Sequence, residues 1–218
     1  MQIDPILQKI QRLQAAIGGV GGARVADLTS VPKNYVRTES DTRTEFSVYL
    51  DVTGGLSDAE VANIAWAIVR SIADLADHFK KWARANGQDP QAVDTAIKRS
   101  TDLQLLIDLA NLDKHGGHDR DGGLSKRKPT LENIRRVLRL GPKAGFEVVM
   151  ADVVELRPHG DVALVVDALV KEQSGAILKT LSELQESAIS AWEAVVAAWG
   201  LRLRHRSEEH TSELQSPI

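Results

Sequence analysis

The chain has 218 residues, 43% of them apolar and 26% charged, with a formal net charge of -3. That suffices for one domain with a buried core, and it excludes a global positive field that would draw the protein onto nucleic acid or an anionic membrane. Cysteine is absent, so there are no disulfides, thiolate metal sites or thiol nucleophiles, which fits a reducing compartment. No run approaches the ~18 apolar residues of a membrane span, and the first residues lack the basic start and apolar core of a signal peptide. The expectation is a cytoplasmic bacterial protein with no membrane partner and no cofactor.

Asp4 and Pro5 open a helix over residues 1–17, because proline suits the first helical position. Its Ile3, Ile6, Ile10, Leu13 and Ile17 form one narrow apolar stripe. Residues 18–42, rich in Gly, Ser, Thr and Asp, read as a flexible loop. Phe46, Val48, Leu50 and Val52 then alternate with polar residues, as in a half-buried strand. Ser57 and Glu60 make a capping box that starts a helix running to about Asn86 and closed by Gly87. A second helix is expected from Asp89-Pro90 to His115. The stripe Ala65, Ile68, Ile72, Leu75, Phe79 and Trp82 would face Val93, Ala96, Ser100, Leu103 and Ile107 in an antiparallel hairpin. Continued in that register, Asn111 and His115 extend the buried stripe and His115 meets Glu60.

Thr130 to Leu140 fits either helix or strand. The valine-rich runs Phe146 to Leu156 and Val162 to Val170, with a turn at Arg157 to Asp161, favour a strand and a three-membered meander. A last helix from about Ser174 carries Leu178, Leu181, Gln185, Ala188, Trp192, Val195 and Trp199. The expected fold class is α+β, a long antiparallel helical hairpin plus a C-terminal helix packed on an antiparallel sheet of about four strands, in a single domain over 43–205. Arg206 to Ser216 resembles the translation of a common sequencing adapter, so residues 206–218 are expected to be a non-native tail and carry no functional weight.

The densest polar chemistry lies in Asn111 to Gly123. At the predicted hairpin mouth, Asn111, Lys114, His115 and Glu60 converge. Paired glycines there let backbone donors approach a ligand, and the start of the first hairpin helix favours an anion. Next to it lies a basic run, Arg120, Lys126, Arg127, Lys128, Arg135, Arg136, Arg139 and Lys143, opposed only by Asp121 and Glu132. Such a surplus suits phosphates, although few aromatics are interleaved for base stacking. The bland alternative is a helix cap followed by a solvated strand face. His115, His118, Asp113, Asp119 and Asp121 offer zinc-type ligands, but in a glycine loop their spacing is weak. A calcium loop would need acids where Lys126 to Lys128 stand. No metal is expected.

Two resemblances attach to these residues. Asp108-Leu-Ala-Asn111-Leu-Asp-Lys114-His115-Gly116, followed by a basic loop, a valine-rich meander and a tryptophan-bearing helix, resembles over roughly residues 57 to 200 a family of uncharacterised bacterial proteins with an Asn-x-x-Lys-His-Gly signature. Asn111-x-x-x-His115 on a helical hairpin is also similar to part of the Arg-Asn-x-x-x-His motif of HEPN ribonucleases, helical enzymes of bacterial defence and toxin–antitoxin systems. Ala110 occupies the position of that motif's arginine. This second resemblance implies His115 as general acid or base, with Asn111 beside it and Lys114 or Arg120 as the charge partner. The leading expectation is therefore a module binding an anionic partner (nucleic acid, nucleotide or phosphate) through Asn111, Lys114, His115, Glu60, Arg120, Lys126, Arg127 and Lys128. A degenerate HEPN-like ribonuclease is the first alternative. A homo-oligomeric scaffold, such as a homodimer joined through the stripes of helices 4–17 and 174–200, is the second.

Overall fold

The computed structural model describes residues 5–18, 35–40, 43–48, 56–117, 121–150, 154–160 and 162–201. Asp4, the far end of the predicted strand at 49–52, His118, Asp119, Arg120 and the tail 206–218 lie outside them. The fold is α+β, as expected, with the helical hairpin and C-terminal helix packed on an antiparallel sheet.

Helix α1 (Pro5–Gly18) lays Ile6, Leu7, Ile10 and Ile17 into the main core. The stripe that would have suited a partner chain is thus filled by its own. Strand β1 (Tyr35–Ser40) pairs antiparallel with β2 (Arg43–Val48), in a register closing at Ser40 opposite Arg43. The expected loop over 18–42 therefore ends in a strand. Tyr35, Val36 and Thr38 carry the β propensity that the polar composition of the segment masked.

The first arm of the hairpin is bent rather than straight: α2 (Asp58–Ala73) gives way at Asp74 to α3 (Leu75–Ala85). Trp192, fully buried, donates its indole N–H to the Ile72 carbonyl beside the bend at 3.2 Å, a side-chain intrusion of the kind that bends helices. The predicted stripe holds, since Ala65, Ile68, Ile72, Leu75 and Phe79 are all buried. Phe79 meets Trp192 edge-on at 5.2 Å, and Trp82 stacks on Trp199 at 5.3 Å. The capping box is present, with Ser57 Oγ accepting from Glu60 N and the Glu60 carboxylate accepting from Ser57 N.

The second arm is broken outright. α4 (Gln91–Arg99) ends where Ser100 turns extended (φ -107, ψ 105), and α5 (Thr101–His115) begins there with Ser100 Oγ accepting from Leu103 N at 3.2 Å. Gln104 folds back to donate to the Ile97 and Lys98 carbonyls, both at 3.0 Å, and so satisfies the end of α4. A helix restarted this way loses the register of its predecessor. The buried face of α5 is Leu103, Leu105, Leu106, Asp108, Leu109 and Ala110, while Ile107 and Asn111 are half-buried and His115 is exposed. The predicted extension of the stripe to His115 is corrected accordingly.

Residues 130–140 form a strand, β3 (Thr130–Leu140), but the meander does not form. β3 pairs with β6 (Val162–Lys171), which in turn pairs with β7 (Ile177–Thr180), giving a three-stranded sheet. The intervening β4 (Gly145–Met150) and β5 (Val154–His159) pair with each other, Gly145 opposite His159, as a separate two-stranded sheet. Met150 is opposite Val154, and Arg157 to His159 of the predicted turn are strand, while Asp161 lies outside the described residues. β6 is central and covered on both sides, as its consecutive buried Leu164, Val165 and Val166 require. The last helix starts later than predicted: α6 (Leu181–Ala198) is opened by a second capping box, Thr180 with Glu183, while Ser174 and Gly175 belong to the β6–β7 turn. The Leu181, Leu184, Ala188, Trp192 and Val195 face of α6 is buried within the chain, so this stripe too is occupied. No helix among the described residues is long and apolar enough to cross a membrane.

Candidate functional site

The two ends of α5 carry the two polar clusters that matter, and the N-terminal one lines a cleft. At the C-terminal end, Gly116 adopts φ 67 and donates to the Leu112 carbonyl at 2.8 Å, the ordinary left-handed helix cap. Lys114 and His115 sit exposed in the last turn, where a cation is favoured by the helix dipole. Among the described residues, no hydrogen bond joins His115 to Asn111 or to Glu60. The Glu60 carboxylate is engaged with Ser57, whose backbone N–H and then hydroxyl hold it below the usual carboxylate range. Asp113 lies 3.1 Å from Arg70 of α2, an ion pair without hydrogen-bond alignment. Asp121 takes Lys126 at 2.8 Å, and that contact, ahead of the Gly123 N–H, lowers its pKa. These pairings occupy two of the carboxylates considered for a metal, and no group of three or more ligating side chains occurs among the described residues.

Arg127 of the basic run lies at the other end of α5, beside Arg99 to Asp102. A residue outside the predicted site, Asp108, redirects it. Asp108 is only 4% exposed, and its carboxylate accepts from Leu124 N at 2.8 Å, Ser125 N at 2.8 Å and Ser125 Oγ at 2.6 Å. Burying a carboxylate is costly unless its lone pairs are met, and here three donors meet them. The loop closes so tightly that a Cβ on Gly123 (φ 72) would lie 2.4 Å from Asp108 Oδ1. Lys126 (φ 61) and Lys128 (φ 49) are held in the left-handed region that side chains rarely adopt. Pinned this way, the loop turns back along α5 toward its start.

There Arg127 joins a solvent-open cleft of about 530 Å³ at the N-terminal end of α5. Arg99, Arg127 and Lys179 line it, with Ser100, Thr101 and Asp102 from the first turn of α5 and an apolar floor of Leu105 and Leu178. Asp102 anchors the far wall, accepting from Lys179 Nζ at 2.7 Å and from the Ser187 hydroxyl of α6. Arg127 reaches Glu172 at 3.4 Å, and its backbone carbonyl accepts from Gln173 N at 3.3 Å.

Of the residues proposed from sequence, Arg127 alone lines this cleft, and Lys126 and Lys128 lie on the same loop. The remaining cations scatter. Arg136 is buried at 7% exposure, Arg139 pairs with Glu186 at 2.8 Å, and Arg135 and Lys143 are exposed. The expected solvated basic face is therefore interrupted by one buried arginine and one ion pair. Arg99, Asp102, Asp108, Ser125 and Lys179 were missed. The signal available for Asp102 was Ser100-Thr-Asp102, a cap followed by a first-turn acid. Asp108 and Lys179 left no local signal, because their partners are distant in sequence. Comparisons with protein families, curated proteins and solved structures find no match.

Proposed function

We propose that the protein binds a phosphate-bearing ligand in the cleft at the start of α5, held by Arg99, Arg127 and Lys179. The observation that carries this is the convergence of three cations, from α4, the basic loop and β7, around one cavity with a single lining carboxylate. A volume of about 530 Å³ suits a nucleotide or a short stretch of nucleic-acid backbone. Lys179 keeps its 2.7 Å bond to Asp102 and has further ammonium protons to offer, whereas the contact that holds Arg127 is weak enough to yield. Arg127 and Glu172 are 3.4 Å apart, against roughly 2.7–2.9 Å for a tight charge-assisted bond. The Arg127 side chain is 50% exposed, and such surface pairs are worth about 0–1 kcal/mol. A phosphate dianion can recruit that guanidinium in a two-pronged contact that a single oxygen of Glu172 does not supply. Ser100 and Thr101 add hydroxyls at the same wall.

The test is anisotropy titration with two probes, a labelled mononucleotide and a labelled single-stranded RNA, at rising salt. Binding that weakens with salt and falls roughly tenfold or more in Arg99→Ala and in Arg127→Ala supports the proposal. Whichever probe binds more tightly identifies the ligand source. RNA cleavage abolished by His115→Ala would replace it with the ribonuclease alternative, and no binding of either probe would refute it.

A further inference from the structure

We propose that Asp108 and Ser125 are positioning residues that set the Arg127 guanidinium in the cleft without touching the ligand. This rests on the cleft being a phosphate site. The link is a continuous chain of hydrogen bonds. Asp108 Oδ2 accepts from the Ser125 hydroxyl at 2.6 Å, and the same Ser125 oxygen accepts from the Arg127 backbone N–H at 3.3 Å. The hydroxyl is thereby both donor and acceptor, so its proton is committed to Asp108 and its lone pair to Arg127. Downstream, the Arg127 carbonyl is fixed by Gln173 N from the β6–β7 turn. Arg127 is thus held at both ends of its own backbone, once through α5 and once through the sheet.

Three features argue that this arrangement does more than close a loop. Asp108 sits one turn beyond Leu105, which floors the cleft, so the anchor and the cavity share one helix face region. The loop holds Lys126 and Lys128 at positive φ, a conformation that persists only where surrounding contacts over-determine it. And Gly123 is packed against the anchoring carboxylate so closely that no other residue fits without displacing it. A loop that needed only to connect α5 to β3 has cheaper solutions. One that must present a long, flexible arginine at a defined place benefits from losing its backbone freedom before the ligand arrives.

The experiment compares wild type, Ser125→Ala, Ser125→Thr and Arg127→Ala in calorimetric titrations with inorganic pyrophosphate, alongside amide hydrogen exchange of residues 121–128. The expected result is roughly tenfold weaker binding for Ser125→Ala, the loss typical of one hydrogen bond to a charged group. Ser125→Thr, which restores the hydroxyl, should recover it. Ser125→Ala combined with Arg127→Ala should bind no worse than Arg127→Ala alone, because Ser125 acts through Arg127. Faster exchange at the Arg127 amide in Ser125→Ala shows that the chain of bonds has been cut, and far-UV circular dichroism checks that each variant folds. If Ser125→Ala binds pyrophosphate as wild type does while Arg127→Ala binds poorly, the positioning role is overturned and the cleft stands. If wild type binds no pyrophosphate, both fall.

Discussion

The two ends of α5 rank one way in sequence and the other way in space. The C-terminal end, Asn111 to Gly117, gathers a histidine, a lysine, an asparagine and paired glycines within seven residues. In three dimensions they surround an ordinary left-handed helix cap, with Lys114 and His115 exposed and none of them lining the cleft at the other end. The N-terminal end offers only Ser100, Thr101 and Asp102, yet it receives Arg99 from α4, Arg127 from the loop and Lys179 from β7. A helix terminus acquires chemistry when other elements are folded onto it. Density of polar residues along the chain is a poor guide to that.

The contrast can be broken or sharpened by substitution. The largest effect is expected at glycine. Gly123→Ala would force a Cβ to 2.4 Å from a buried Asp108 oxygen at φ 72, and should cost on the order of 2–4 kcal/mol in urea unfolding. Gly116→Ala meets nothing within 4 Å and should cost only about 1 kcal/mol for its left-handed backbone. Equal costs would mean that Asp108 does not discipline the loop. Asp102→Ala comes next. It leaves Lys179 and Ser187 without their shared acceptor, and about 1–3 kcal/mol should appear in the same measurement. Ser100→Ala removes the cap of α5 and should cost about 1 kcal/mol, with exchange protection lost first at the Leu103 amide. His115→Ala, at the exposed end, should stay within about 0.5 kcal/mol of wild type. A larger loss there would reveal a partner that the geometry does not provide.

The smallest effect concerns pH. Asp121 has a lowered pKa because Lys126 hydrogen-bonds its carboxylate, and Glu60 and Glu183 have lowered values because each accepts from its own N-cap. A pKa depressed in the folded state contributes stability above the unfolded value and loses it as pH falls through the folded one. Carbon-detected titration should therefore place all three midpoints below the ordinary carboxylate range. A midpoint for Asp121 at or above that range would show the Lys126 contact to be absent in solution.

How far the sequence is legible follows from the reach of each interaction. The α2–α3 stripe, the Ser57–Glu60 box and the Gly87 stop all depend on neighbours within four residues, and all appear as expected. The Thr180–Glu183 box was equally local, but the spurious start at Ser174 concealed it. The break at Ser100 does not show in the apolar stripe, because the Ser100 hydroxyl restarts the helix instead of packing in the seam. The restart shifts the register of α5, and His115 leaves the buried face. The sheet order was not legible, since β3 pairs with β6 past the intervening β4–β5 hairpin and no local pattern specifies so distant a partner. Asp108 was hidden in plain view within the Asp108 to Gly116 motif, because what it binds begins 16 residues later.

The central claim is that the ligand-binding end of α5 is its beginning. Titrating isotope-labelled protein with inorganic pyrophosphate while recording amide chemical shifts tests it most directly. The account predicts that the perturbed amides cluster at Arg99 to Asp102, Arg127 and Lys179. Perturbation confined to Asn111 to Gly117, with those residues unmoved, would contradict it.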